Sequence, residues 1–280
     1  MPHALKHGVK TGMTALLRQA VRTQSVRYFM PSPAAAGPIR LNSDMPCYKA
    51  LKEEGVWVEK THDSHDSHSR FGAPVRVCIL NLMPLKEDTE LQLSRLLGRT
   101  SAPVEITWCV PNNYDGKNSA PGYIDTFYRR FSEIKNKTFD GFIVTGAPIE
   151  HLEFEQVKYW PELQEFFEFI RKQDAGLLAL CWGAMASIYH FHDVRKHATS
   201  RKEFGVFPHV VCDPTHTLAQ ALPGTVGIPV SRHTTWNLEE VEAACRKAPH
   251  LQLLLKSDLV GPGLLYDSAL GHAHMINHFE

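Results

Sequence analysis

The sequence predicts an α/β fold, a parallel sheet flanked by helices on both faces. Three observations carry this. Short apolar runs bounded by proline or glycine read as buried strands. Between them stand segments with apolar residues three and four apart, which read as helices. From Val75 to Phe191 the two kinds alternate, and a β-α-β-α order calls for crossover helices and a parallel sheet.

The elements follow in order. Residues 46–58 read as a short helix ended by Gly55. Val75–Leu82 lies between Pro74 and Pro84 and reads as a buried strand. Glu87–Leu97 places Leu91, Leu93, Leu96 and Leu97 at helical spacing, with Gly98 as its stop. Val104–Val110 alternates like a strand, and Tyr123–Ile134 is helical in period. Gly141–Val144 is a strand that enters the turn Thr145-Gly146-Ala147-Pro148. Trp160–Arg171 is an aromatic-rich helix, Leu177–Leu180 a strand and Ala184–Phe191 a helix. Beyond residue 205 short strands dominate: Val206–Val211, Gly227–Val230, Gln252–Leu255, Gly263–Tyr266 and His272–Ile276.

The 280 residues carry 30 basic and 30 acidic side chains, so the chain as a whole lacks the basic excess of a nucleic-acid binder. No run of about 18 apolar residues occurs, so no transmembrane helix is expected. The charge is uneven. Residues 1–43 hold Lys6, Lys10, Arg18, Arg22, Arg27 and Arg40 and no acid. They form a basic N-terminal extension with the character of a mitochondrial transit peptide, or a plain disordered tail. No apolar signal region precedes the fold, and the cysteines show no C-x-x-C pair, so a reducing cytoplasmic setting is expected, with the mitochondrial matrix as the alternative. The tract from His62 to His68 carries three histidines at spacing three and reads as a solvated loop.

Leu177–Leu180 runs directly into Cys181, and Trp182-Gly183-Ala184 opens a helix at once. This is the layout of a nucleophile elbow. Small residues let a substrate approach, and the free N–H groups of a helix start favour an anion there. The Trp182 N–H would face a developing oxyanion, and the Gly146-Ala147 turn could add a second donor. The competing reading is a core thiol at a strand end. A thiolate nucleophile needs a base and an orienting acid, and His278 and Glu280 are spaced two apart at the end of the sequence. His272 and His274 share that spacing; no metal site is assigned to them, and a pocket lining or the core is expected instead.

Cys181-Trp182, Thr145-Gly-Ala-Pro148, Asn81-Leu-Met-Pro84 and Lys202-Glu-Phe-Gly-Val206 together resemble the homoserine O-acyltransferase (O-succinyl or O-acetyl) family of methionine biosynthesis. The resemblance covers residues 44–280 and implies a class I glutamine-amidotransferase-like fold, a flavodoxin-like three-layer sandwich. It implies a ping-pong mechanism with no bound cofactor, acyl-coenzyme A being a substrate. Cys181 would carry the acyl group, His278 would be the base and Glu280 its partner. Lys202, Ser231 and Arg232 match substrate-binding positions, and Gly146 and Ala147 the second oxyanion donor. Glu150 matches the position where acetyl users carry glutamate and succinyl users glycine. A carboxylate there would repel the succinyl carboxylate, by about 4 kcal/mol at roughly 4 Å and an effective dielectric near 20. A homodimer is implied by the resemblance alone.

Two departures stand out. Relatives in this family continue past the His-x-Glu pair to an arginine that holds the acceptor carboxylate, so the domain is expected to be short at its carboxyl end. Val230 replaces a histidine before the Ser-Arg pair. L-Serine therefore stays open as acceptor, succinyl-CoA as donor, and a glutaminase-like hydrolase or an inactive descendant as other outcomes.

Overall fold

The computed structural model describes residues 37–61, 73–114, 116 and 118–278. The basic extension up to residue 36, the His62–His68 tract and Glu280 lie outside the described residues.

In chain order the strands are β1 (Ile39–Leu41), β2 (Val58–Lys60), β3 (Val75–Leu80), β4 (Val104–Val110), β5 (Arg129–Arg130), β6 (Gly141–Val144), β7 (Gly176–Leu180), β8 (Lys196–Val211), β9 (Thr225–Trp236), β10 (Leu251–Ser257), β11 (Gly261–Asp267) and β12 (His272–Met275). The helices are α1 (Pro46–Glu53), α2 (Lys86–Leu97), α3 (Tyr123–Phe127), α4 (Phe131–Ile134), α5 (Trp160–Lys172), α6 (Trp182–His192) and α7 (Leu238–Lys247). One sheet runs β2-β1-β4-β3-β6-β7-β12-β11-β10-β8-β9, with β5 paired to β4. From β2 to β12 every pairing is parallel, and beyond β12 every pairing is antiparallel.

Alternation along the strands splits the core between the two faces. On β7, Leu177 and Ala179 pack on one side with α5, α6 and Val241 of α7. Leu178 and Leu180 face the other side, with Leu51 of α1, Leu93 of α2 and Ile124 of α3. This is the three-layer arrangement expected for the parallel half.

Four differences from the sequence reading have physical causes. The sheet starts earlier than residue 44, because Ile39 and Leu41 are buried and β1 lies between β2 and β4. Tyr123–Ile134 is not one helix. Arg129 and Arg130 pair with Cys109 and Val110, and the buried Tyr128 hydroxyl donates to Glu90 Oε1 at 2.6 Å. The sheet is mixed rather than parallel throughout, since β8 and β9 form a long antiparallel ribbon. Finally, α7 falls between the expected strands Gly227–Val230 and Gln252–Leu255, where no helix was assigned; Asn237 caps it by accepting from the Glu239 and Glu240 N–H groups.

Candidate active site

Strands β6, β7 and β12 are neighbours in the sheet and point the same way, so their carboxyl ends lie side by side. Ligands gather at such ends in α/β sheets. Here the chain places the Thr145–Ala147 turn after β6, Cys181 after β7 and the segment to His278 after β12.

Cys181 joins β7 to α6 in a backbone conformation with φ 49° and ψ −119°, unusual for a residue with a side chain. Its N–H donates to the Met275 carbonyl at 2.7 Å, which ties the elbow to the end of β12. Its side chain is half-buried, whereas Cys47, Cys78 and Cys109 are buried in the core. Burial pushes the Cys47 thiol up to about 12, and raises Cys78 as well. As first residues of α6, Trp182 and Gly183 have N–H groups with no acceptor inside the helix. Trp182's indole is buried against Phe154 and Tyr159, so it is its backbone that borders the cysteine.

Two glycines set the closeness of the approach. A Cβ on Gly183 would lie 2.5 Å from the Thr145 carbonyl oxygen, so only glycine lets α6 start against the end of β6. A Cβ on Gly146 would lie 3.0 Å from Cys181 Cβ and 3.5 Å from its sulfur. Thr145 fixes the turn: its hydroxyl accepts from the Leu82 N–H at 2.8 Å and donates to the Gly146 carbonyl at 3.1 Å. Peptide planarity then turns the Ala147 N–H away from Thr145.

His278 is partly buried and donates its backbone N–H to the Pro229 carbonyl of β9 at 3.0 Å. A cleft lined by Met83, Thr89, Gln92, Thr145, Gly146 and His278 opens beside it. His272 and His274 do not share this surface. The strand ends at Met275, and both rings are buried, with His274 Nδ1 hydrogen-bonded to Ser187 Oγ of α6 at 2.7 Å.

The ribbon β8–β9 supplies the rest. Arg232 is fully buried, 3.0 Å from the Glu203 carboxylate, and donates to Thr235 Oγ1, the Val260 carbonyl and Asn277 Oδ1. Asn277 Nδ2 donates to His209 Nε2 at 2.8 Å, and His209 Nδ1 lies 3.0 Å from the Phe207 carbonyl, which fixes its tautomer. Burial lowers the Arg232 guanidinium and raises the Glu203 carboxyl, each against the pull of its partner. Cys181 and Glu150 are both close enough for their charges to act on Arg232. Glu150 Oε2 accepts from Thr234 Oγ1 at 3.2 Å, and Lys196 Nζ donates to the Glu150 carbonyl at 2.9 Å. Ser231 pairs with Phe204 across the ribbon. Lys202 is exposed, with Nζ 5.4 Å from the Phe204 ring; the described contacts bring neither it nor Ser231 to the cysteine.

A second buried charge pair beneath the cleft escaped the sequence reading. Lys86 Nζ donates to the Asn81 and Met83 carbonyls at 2.6 and 2.8 Å and lies 4.1 Å from the Tyr114 ring centre. Glu90 accepts from the Tyr123 and Tyr128 hydroxyls, both at 2.6 Å. The pair holds the Asn81–Pro84 loop whose Met83 lines the cleft. Burial pushes the Lys86 amine down to about 7 and raises the Glu90 carboxyl. Above about pH 7 the folded chain releases a proton from Lys86 that the unfolded chain keeps up to its ordinary range near 10.4. Lys86 thus makes stability rise with pH across that window. Urea midpoints of the native chain and of Lys86→Met, compared between pH 7 and 10, are expected to differ by at most about 1.4 kcal/mol per pH unit in favour of the native chain at higher pH.

A family model for homoserine O-succinyltransferase matches residues 38–280. The homoserine O-acetyltransferase of Ruegeria sp. strain TM1040 is 41% identical over 243 residues, spanning 87% of this chain and 76% of that protein. That of Roseobacter denitrificans is 40% identical, spanning 87% and 77%.

The chain belongs to the homoserine O-acyltransferase family.

As a member of that family it is an acyltransferase enzyme. Its fold is also that of more distant proteins. PurLQS of Thermotoga maritima matches with a TM-score of 0.50 at 10% identity, over 74% of this chain and 88% of that one. A Thermoplasma acidophilum protein provisionally assigned to GMP synthase matches with a TM-score of 0.51 at 14% identity, over 74% and 84%. These likenesses support the class I glutamine-amidotransferase-like fold. None of the described helices is long and apolar enough to cross a membrane.

Proposed function

We propose that this acyltransferase moves acetyl from acetyl-CoA to the side-chain hydroxyl of L-homoserine through a thioester on Cys181, as a step of methionine biosynthesis. The observation that supports it most is the meeting of Cys181, the Gly146-Ala147 turn and His278 at the ends of three adjacent parallel strands. The Cys181 sulfur attacks the thioester carbonyl, and the carbonyl oxygen gains the charge. The N–H groups of Trp182 and Ala147 are assigned to receive it. The tetrahedral species collapses, the bond to coenzyme A breaks and its thiolate leaves. In the second half His278 takes the proton of the acceptor hydroxyl as that oxygen attacks the acyl-enzyme, and Cys181 is released. Glu280 is assigned the role of orienting His278. Arg232 has most of its donors spent inside the protein, so its proposed role is to position Asn277 and the neighbouring His278. Ser231 and Lys202 remain proposed substrate contacts. A homodimer belongs to the same proposal, and the exposed Phe204 and Val206 on the outer face of the ribbon would suit a second copy.

Glu150 carries the choice of donor. Its carboxylate accepts from Thr234 Oγ1, and its assigned role is to deny space and charge to a succinyl tail. Arg232 offsets part of that charge. Intact-protein mass after brief incubation with each donor alone tests the assignment. An acetyl adduct is expected with the native chain, and a shift of about 10²-fold toward succinyl-CoA with Glu150→Gly, equivalent to roughly 2.7 kcal/mol. A native chain that loads succinyl first would reverse the donor assignment while leaving the cysteine in place.

A further inference from the structure

A group of side chains lies away from the cysteine, near the other end of α6. We propose that His192, His250 and Asp267 form a binding site for a borderline divalent transition metal, Zn²⁺ above all. Their ligand atoms all fall within 4.8 Å of one another. His192 Nε2 is 2.7 Å and His250 Nε2 is 3.8 Å from the same oxygen, Asp267 Oδ2. Tetrahedral zinc with bonds of about 2.0–2.2 Å separates its ligands by roughly 3.3 Å, so capture needs relative shifts of up to about 1.5 Å. Two imidazoles and a carboxylate are a donor set that suits this ion.

The carboxylate is already oriented. Asp267 Oδ1 accepts from the Ala269 and Leu270 N–H groups at 2.9 and 3.1 Å, leaving Oδ2 to the histidines. Backbone support of this kind fixes a metal ligand before the ion arrives. His250 is the solvent-facing partner, with 44% of its side chain exposed, while the Asp267 side chain is fully buried.

A second, independent observation points to a ligand. His272 is completely buried, and among the described residues neither of its ring nitrogens has a hydrogen-bond partner. It stands directly opposite Asp267 in the antiparallel β11–β12 pairing, so both side chains leave the same face of the sheet about 5 Å apart. An orphaned buried imidazole costs free energy unless something occupies it. An ion held by the other three would stand on the same face of the sheet as this imidazole, which would have to move toward Asp267 to reach it. The sequence reading weighed His272 and His274 and assigned no metal, since spacing two alone is weak evidence; His192, His250 and Asp267 come from separate segments that only the fold brings together.

Such an ion would be structural. It would tie the carboxyl end of α6 to the loop before β10 and to the end of β11, while Cys181 caps the opposite end of that helix about 16 Å away. Titrating the metal-stripped full-length chain with Zn²⁺ by calorimetry, and with Co²⁺ by absorption, tests this. One ion per chain is expected, with a cobalt spectrum free of thiolate charge-transfer bands. At a hundredfold excess over Kd, Tm is expected to rise by about 5–10 °C. His250→Ala, exposed and safe to fold, is expected to weaken binding at least tenfold, and Asp267→Asn to abolish it. Cys181→Ser is expected to bind as the native chain does. Absence of stoichiometric binding, binding unchanged in His250→Ala, or binding lost in Cys181→Ser would each overturn the site.

Discussion

Cys181→Ser is expected to accumulate no acyl-enzyme with acetyl-CoA and to lower kcat by about 10⁴-fold or more, as removal of a nucleophile does elsewhere. The change deletes no packing, because serine has the same shape and Cys181 is only half-buried. Tm is therefore expected to stay within a degree or two, and this separates chemistry from folding. The loss has a structural reason. Among the described residues no other thiol lies along the Gly146–Ala147 and His278 edges, and Cys78 and Cys109 are buried within β3 and β4. Residual turnover would measure what the oxyanion donors and His278 do unaided. An adduct that persisted in Cys181→Ser, or a variant with native kcat, would move the nucleophile to another residue and sink the proposed mechanism.

The elbow was legible because it is local. An apolar run, a cysteine and a run of small residues occupy one stretch, and each has one sensible backbone state. Strands β3, β4, β6 and β7 were legible for the same reason, and β4 and β6 fall where alternation and turn residues put them. The ribbon was not. Its first half, Lys196–Gly205, is polar and largely exposed, so no hydrophobic period marks it as a strand. Tyr123–Ile134 failed for the opposite reason. Its apolar spacing suits a helix, but pairing with β4 and the Glu90 carboxylate outweigh a weak local preference. Lys86 and Glu90 look like surface charges in sequence. Only the tyrosines brought over from Tyr123 and Tyr128 make them a buried pair. The cap at Asn237 with Glu239 and Glu240 behind it was a readable signal for α7 that the strand-like residues around it obscured.

Arg232→Met is expected to produce the largest loss of stability, about 3–5 kcal/mol, or a Tm lower by roughly 10 °C. The arginine is fully buried and cannot shed its proton, so the fold must solvate it with protein groups. Glu203, Asn277, Thr235 and the Val260 carbonyl do so. Removing the guanidinium leaves the Glu203 carboxylate, already raised by burial, without its counter-charge. It also frees Asn277, whose other end holds His209 and whose next residue is His278. Turnover is therefore expected to fall as well. The double variant Glu203→Leu/Arg232→Met tells the two effects apart, because exchanging a buried ion pair for apolar side chains is often neutral. If the double recovers Tm but kcat stays low with KM little changed, Arg232 positions His278 through Asn277. Recovery of both would reduce Arg232 to a partner for Glu203, and its place in the site would be lost.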